Sequence, residues 1–183
     1  MKSMSVSCED VVQIYKENVN ALDKTIESIV QLLDKRDLKI STAESCTGGL
    51  LSELITSVSG ASKVFEMGLC TYSNDVKMKL LGVAEDILSK YGAVSYQTAE
   101  AMVLGLKKLS GADLCISITG LAGPGGGTPD CPVGTVYAGI MFGDKLCVCH
   151  IKAYEMQCIT RREVRNAAAV CAFGISLRML LEE

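Results

Sequence analysis

Apolar positions change period several times along the chain, and each change marks an element. Leu22, Ile26, Ile29, Val30 and Leu33 fall at helical spacing, which predicts a helix over about 20–35. A further helix over about 8–18 precedes it. Leu38-Lys39-Ile40-Ser41 alternates like a short strand. Leu50–Ile55 then reads as a helix, and 64–72 holds a second strand. Ser73 or Asn74 can cap a short helix that ends near Gly82, and residues 84–91 add another short helical stretch. Ser95 opens a longer helix to about Leu109, with Gly111 just beyond it.

The second half is more strand-rich. ADLCISI, residues 112–118, is nearly all apolar, as expected of a central strand covered on both faces. Residues 119–132 hold all three prolines and a run of glycines, so they predict a loop. Residues 135–142 and 145–154 read as strands around a Gly143-Asp144 hairpin turn, and 161–181 as a closing helix. Interleaved helices and strands with one hairpin define an α/β layered domain with a mixed sheet. Residues 1–20 read as an N-terminal helical appendage, and 21–183 as one domain.

Composition narrows the function classes. At 49% hydrophobic and 21% charged, the chain has the apolar content to build a packed core. A net charge of −3 with no basic block argues against an electrostatic grip on nucleic acid. No apolar run reaches the ~18–20 residues of a bilayer span, and no signal peptide is visible at the start. The nine cysteines are scattered, several within apolar runs, which suits reduced thiols in a cytoplasmic protein. Cys147-Val148-Cys149-His150 lacks a second ligand pair, so no metal site is expected.

Candidate chemistry sits in three segments. TAESCTGG, residues 42–49, lies between a strand and a helix. Such a turn leaves backbone N–H groups pointing outward and lets glycine admit a close neighbour. It suits an anion or an oxyanion, held by Thr47, Gly48 and Gly49. Ser45 and Cys46 are both possible nucleophiles, but neighbours in an extended turn face opposite sides. His150 is the chain's only histidine and is poorly placed as a base. Lys77 is the alternative, if its ammonium is destabilised. The second segment is ITGLAGPGGGTPDCPVGTV, residues 118–136, whose glycines can wrap a phosphate or ribose. It matches neither a Walker loop nor a dinucleotide fingerprint. The third is Arg161 with Arg165, four apart on one helix face and suited to phosphate.

TAESCTGG, GLCTYSNDVKMKLLGV (68–83), YGAVSYQTAEAM (91–102), ITGLAGPGGG (118–127) and CPVGTV (131–136) together resemble the C-terminal domain of the CinA, or competence/damage-inducible, family. Its stand-alone form is the PncC-type nicotinamide-nucleotide amidase, and the separate N-terminal domain of full-length CinA proteins has no counterpart here. The resemblance runs from about Ile26 to Leu180. It implies a three-layer α/β/α sandwich that deamidates nicotinamide mononucleotide without metal or organic cofactor. It implies Ser45 as nucleophile rather than Cys46, with Lys77 and Tyr72 as catalytic partners. Glu44, Asn74, Thr119, Gly120, Ala122, Gly123, Gly125, Gly126, Arg161 and Arg165 are the corresponding substrate-binding positions. Two departures stand out. Cys131 replaces the family's usual Lys, and Ile159-Thr160-Arg161 replaces a Gly-Asp-Arg approach to the last helix. The partners expected are a small nucleotide substrate and further copies of the chain, with no nucleic acid and no membrane. The alternatives are a non-catalytic pyridine-nucleotide sensor and a competence- or damage-associated interaction module.

Overall fold

The structure, a computed structural model, describes residues 2–182. Its chain order is β1 (Lys2–Met4), α1 (Cys8–Asn18), α2 (Leu22–Arg36), β2 (Ile40–Glu44), α3 (Leu50–Thr56), β3 (Phe65–Cys70), α4 (Asn74–Leu81), α5 (Glu85–Tyr91), α6 (Tyr96–Ser110), β4 (Leu114–Gly120), β5 (Thr135–Phe142), β6 (Lys145–Lys152) and α7 (Arg161–Leu181). The six strands form one mixed sheet in the order β1-β6-β5-β4-β2-β3. β4, β2 and β3 run parallel, while β5 is antiparallel to both β4 and β6.

Side-chain alternation divides the core into two layers around this sheet. Ile40, Leu114, Ile116 and Ile118 pack with α1, α2, α3 and α7, whereas Ala43 and Cys115 pack with α4, α5 and α6. The molecule is therefore a three-layer α/β/α sandwich. Helix ends follow local chemistry. Ser73 and Ser95 cap α4 and α6 by accepting from Val76 and Thr98 amides, and Gly82 and Gly111 close them in the left-handed conformation. Thr160 and Glu163 form a capping box at the start of α7, so the Ile159-Thr160 departure still launches the helix at Arg161.

Three segments differ from the sequence expectation. β2 lies at 40–44 rather than 38–41, because Leu38 N–H instead closes α2 on the Leu33 carbonyl and Lys39 N–H donates to Asp113 Oδ2. β4 runs on through Thr119 and Gly120, which pair with Tyr137 and Val136; cross-strand partners extend a strand that local composition ends. β1 has no apolar alternation and exists only because its three residues pair with Lys145, Leu146 and Cys147 at the sheet edge. The segment read as a helical appendage thus begins as a strand, and its helix shares the main core. Val11 and Ile14 are buried beside α7. At Gly174 of α7 a Cβ would meet Ile14 Cγ2 at 2.5 Å.

Contrary to the sequence expectation, α7 is by length and mean hydropathy apolar enough to cross a bilayer. Here those side chains form the centre of the α1/α2/α7 layer.

Candidate functional site

The TAESCTGG segment is half strand and half turn. Thr42, Ala43 and Glu44 belong to β2, and alternation sends Thr42 and Glu44 to the α3 side and Ser45 to the α4/α6 side. Glu44 is fully buried. Its Oε2 accepts from the Gly49 and Leu51 amides, and its Oε1 from the Ser52 amide and hydroxyl, all at 2.8–3.0 Å. Gly48 and Gly49 have φ of 58° and 94°, which lets the chain turn back over this carboxylate. The positive end of α3 is therefore already neutralised by a side chain from beneath.

On the other face, the Ser45 amide donates to the Ile118 carbonyl, which ties the turn to β4. Lys77, from the first half of α4, is 1% exposed. Its Nζ donates to Ser45 Oγ at 3.2 Å, to the Thr71 carbonyl at 2.9 Å and to the Tyr72 carbonyl at 3.2 Å. No carboxylate forms an ion pair with it among the described residues. Burial holds its pKa below the ordinary lysine value of 10.5. Once Nζ is neutral, the Thr71 and Tyr72 carbonyls can take its two N–H groups, and its lone pair is then left to accept from the Ser45 hydroxyl.

Cys46 borders the same cavity as Ser45, but it packs into the core on the α3/α7 side of the sheet and is 6% exposed. Burial pushes its thiol up to about 11, while Arg161 and Arg165 pull weakly the other way. A thiol of that kind is protonated near neutral pH and a poor nucleophile. His150 lies elsewhere on β6, stacked on Tyr137 with ring centroids 4.5 Å apart, so no serine–histidine pair forms.

Ser45 and Lys77 open into a cavity of about 230 Å³ at the carboxyl ends of the parallel strands, the usual ligand position in such sheets. Of the expected positions, Tyr72, Thr119, Gly120, Ala122, Gly123, Gly125 and Arg161 also line it. Arg161 spans the rim, donating from Nη1 to the Gly123 carbonyl at 2.8 Å and from Nη2 to the Tyr72 hydroxyl at 2.9 Å. Thr119 Oγ1 donates to the Ala93 carbonyl at 2.6 Å. That bond brings Ala93 and Val94 to the wall, together with Leu121. None of these three carries a chemical signal in the sequence; only the fold puts the YGAVS segment beside β4.

Other expected positions fall outside the cavity. Glu44 is spent on α3. Asn74 starts α4 on the exposed side, and Gly126 lies farther out in the glycine loop. Arg165 donates from Nε and Nη2 to the Thr47 carbonyl, at 3.1 and 2.5 Å, and so braces the turn from α7. Of the three amides expected to cradle an oxyanion, Gly48 donates to the Ser45 carbonyl and Gly49 to Glu44. Only the Thr47 amide makes no hydrogen bond among the described residues. Sequence spacing identified the donors but not their acceptors. Cys131 is half-buried in the loop, bonded to Thr128, and away from the cavity wall.

Fold and site define a class: an α/β/α protein with a buried serine–lysine pair beyond the ends of its parallel strands. Comparison with known proteins gives the family. Residues 22–180 match the CinA C-terminal domain. A CinA-like protein of Kosmotoga olearia is 48% identical over 155 residues, and a putative competence-damage inducible protein of Thermoanaerobacter is 46% identical over 155 residues; each match covers 85% of this chain. The chain spans 37% of the length of these two relatives. Among solved structures, a competence/damage inducible protein of Agrobacterium tumefaciens superposes with a TM-score of 0.80 at 36% identity, over 87% of this chain and 93% of that one. A CinA superfamily protein of Escherichia coli superposes with a TM-score of 0.80 at 28% identity, over 90% of this chain and 92% of that one. The chain belongs to the CinA C-terminal domain family.

Proposed function

We propose that the chain is an amidase that hydrolyses the carboxamide of nicotinamide mononucleotide to nicotinate mononucleotide and ammonia. The observation that carries this reading is the 3.2 Å approach of a buried, carboxylate-free Lys77 Nζ to Ser45 Oγ. Neutral Lys77 takes the hydroxyl proton as Ser45 attacks the carboxamide carbon. The resulting oxyanion forms beside the turn, where the Thr47 amide is uncommitted. The proton then passes from Lys77 to the departing nitrogen, ammonia leaves, and a nicotinoyl ester remains on Ser45. Water, deprotonated by the again neutral Lys77, cleaves that ester and regenerates the hydroxyl.

The rest of the nucleotide lies along the rim. Thr119, Gly120, Ala122, Gly123 and Gly125 line its path. Arg161 uses two donors on Gly123 and Tyr72, which leaves three of its five N–H groups for a phosphate. Tyr72 holds that guanidinium and offers a hydroxyl near the reacting amide. Nine free thiols fit a reducing, cytoplasmic setting.

The test is ammonia release from nicotinamide mononucleotide, measured by a coupled assay, with nicotinate mononucleotide identified as the second product. Binding of the nucleotide without turnover would instead support a sensor, and would remove the amidase reading.

A further inference from the structure

On the outer face of the helical layer opposite α7, α4 and α6 pack unusually closely. At Gly105 a Cβ would lie 1.9 Å from the Leu81 carbonyl oxygen, so the helices nearly touch there. Their contact leaves a groove of about 540 Å³ floored by Leu81, Ala101 and Gly105. Its walls are Leu80, Leu104 and Leu109, exposed by 46%, 36% and 48%. Single exposed leucines are ordinary, but three around one groove mark a contact surface.

The charges on the same face indicate what covers it. Glu100, Leu104 and Lys108 are spaced by four along α6 and share one stripe. Neither Glu100 nor Lys108 forms an ion pair among the described residues. The stripe therefore reads negative, apolar, positive along the helix. A two-fold axis through Leu104 turns that pattern into its own complement: each Glu100 meets Lys108 of the second copy, and the two Leu104 side chains meet at the axis. A parallel arrangement would set like charges together.

We propose that the α4/α6 face is an isologous dimer interface, in which α6 packs antiparallel on α6 of a second copy about a two-fold axis at Leu104. Such a contact is closed and self-complementary, as two-fold interfaces require. It covers the outward side of α4, while Lys77 on the inward side keeps its cavity open. The proposal stands apart from the amidase reading, since it concerns assembly alone.

Sedimentation of the full chain over a wide micromolar range tests it, with circular dichroism confirming that each variant is folded. The wild type is expected to sediment as a dimer. Leu104→Asp buries a charge at the centre of the contact and should raise the dimer dissociation constant by at least ~100-fold, the effect of a central hot spot. Glu100→Lys and Lys108→Glu alone each set two like-charged pairs together and should raise it by about tenfold. The double variant restores both pairs with their signs exchanged, and should return to within roughly threefold of the wild type. A wild type that stays monomeric, a dimer indifferent to Leu104→Asp, or a double swap no better than the singles each overturns the proposal. The charge variants carry the test even if Leu104→Asp fails to fold.

Discussion

Two segments meet at the cavity, and they are built in opposite ways. In the turn after β2, most polar groups are committed: Glu44 to four donors at the start of α3, Ser45 N–H to β4, and the Thr47 carbonyl to Arg165, with the Thr47 amide and its buried hydroxyl as the exceptions. In the loop between β4 and β5, residues 124–130 are exposed. That loop is pinned chiefly at its root, by the Leu121–Thr135 and Gly134–Leu121 bonds and by Arg161 on Gly123. The rigid segment carries the nucleophile, whose placement to within a fraction of an ångström governs the barrier. The open segment has uncommitted amides and room for a ligand. Chemistry and recognition are thus divided between a turn whose only free groups belong mainly to Thr47 and a loop that is largely unsatisfied.

If that division is right, damage to the turn lowers kcat and damage to the loop raises KM. The largest effect is expected at Ser45. Ser45→Ala should lose at least ~10³-fold in kcat, as loss of a nucleophile does, whereas Cys46→Ala should retain most activity; the reverse pattern in steady-state assays would exchange their roles.

Lys77 comes next. Its folded pKa is depressed by burial, and it must be neutral to act. kcat/KM should therefore rise with pH through a pKa below 10.5 and fall away on the acid side. Lys77→Arg, which stays charged, should be inactive at every pH. Linkage has a matching sign. The unfolded lysine binds a proton up to about 10.5 while the folded one has already released it, so stability rises with pH between those two values. A pH profile whose alkaline rise survives Lys77→Met would reject the assignment.

Glu44 sharpens the contrast, because it touches no part of the cavity. Glu44→Gln places an NH₂ group against two N–H donors and leaves them unsatisfied. We expect kcat to fall by about 10–100-fold with KM within roughly twofold, since only positioning is disturbed. A KM effect alone would make it a substrate ligand after all.

The smallest effect is expected in the loop. Gly123 has φ of 78°, and its Cβ would lie 2.4 Å from Val133 Cγ1. Gly123→Ala should shift the carbonyl that anchors Arg161 and raise KM by roughly tenfold, about the worth of one misplaced charged hydrogen bond, while kcat changes little.

Local sequence carried a large part of this architecture. The period of apolar residues located α2, serine caps and glycine stops bounded α4 and α6, and strand alternation alone separates Ser45 from Cys46 and from Glu44. These are short-range properties of backbone geometry, and neighbouring residues suffice to express them. Other features depend on segments distant in the chain. β1 exists through β6, β4 is lengthened by β5, and the pairing of Lys77 with Ser45 bridges 32 residues. Where each hydrogen bond ends is of the same kind. Glu44 and Arg165 have residue types that suit a substrate equally well, and Gly48 and Gly49 have amides that suit an oxyanion. Only the packed structure supplies their acceptors and donors, because the partner of a polar group is set by which surfaces folding brings together.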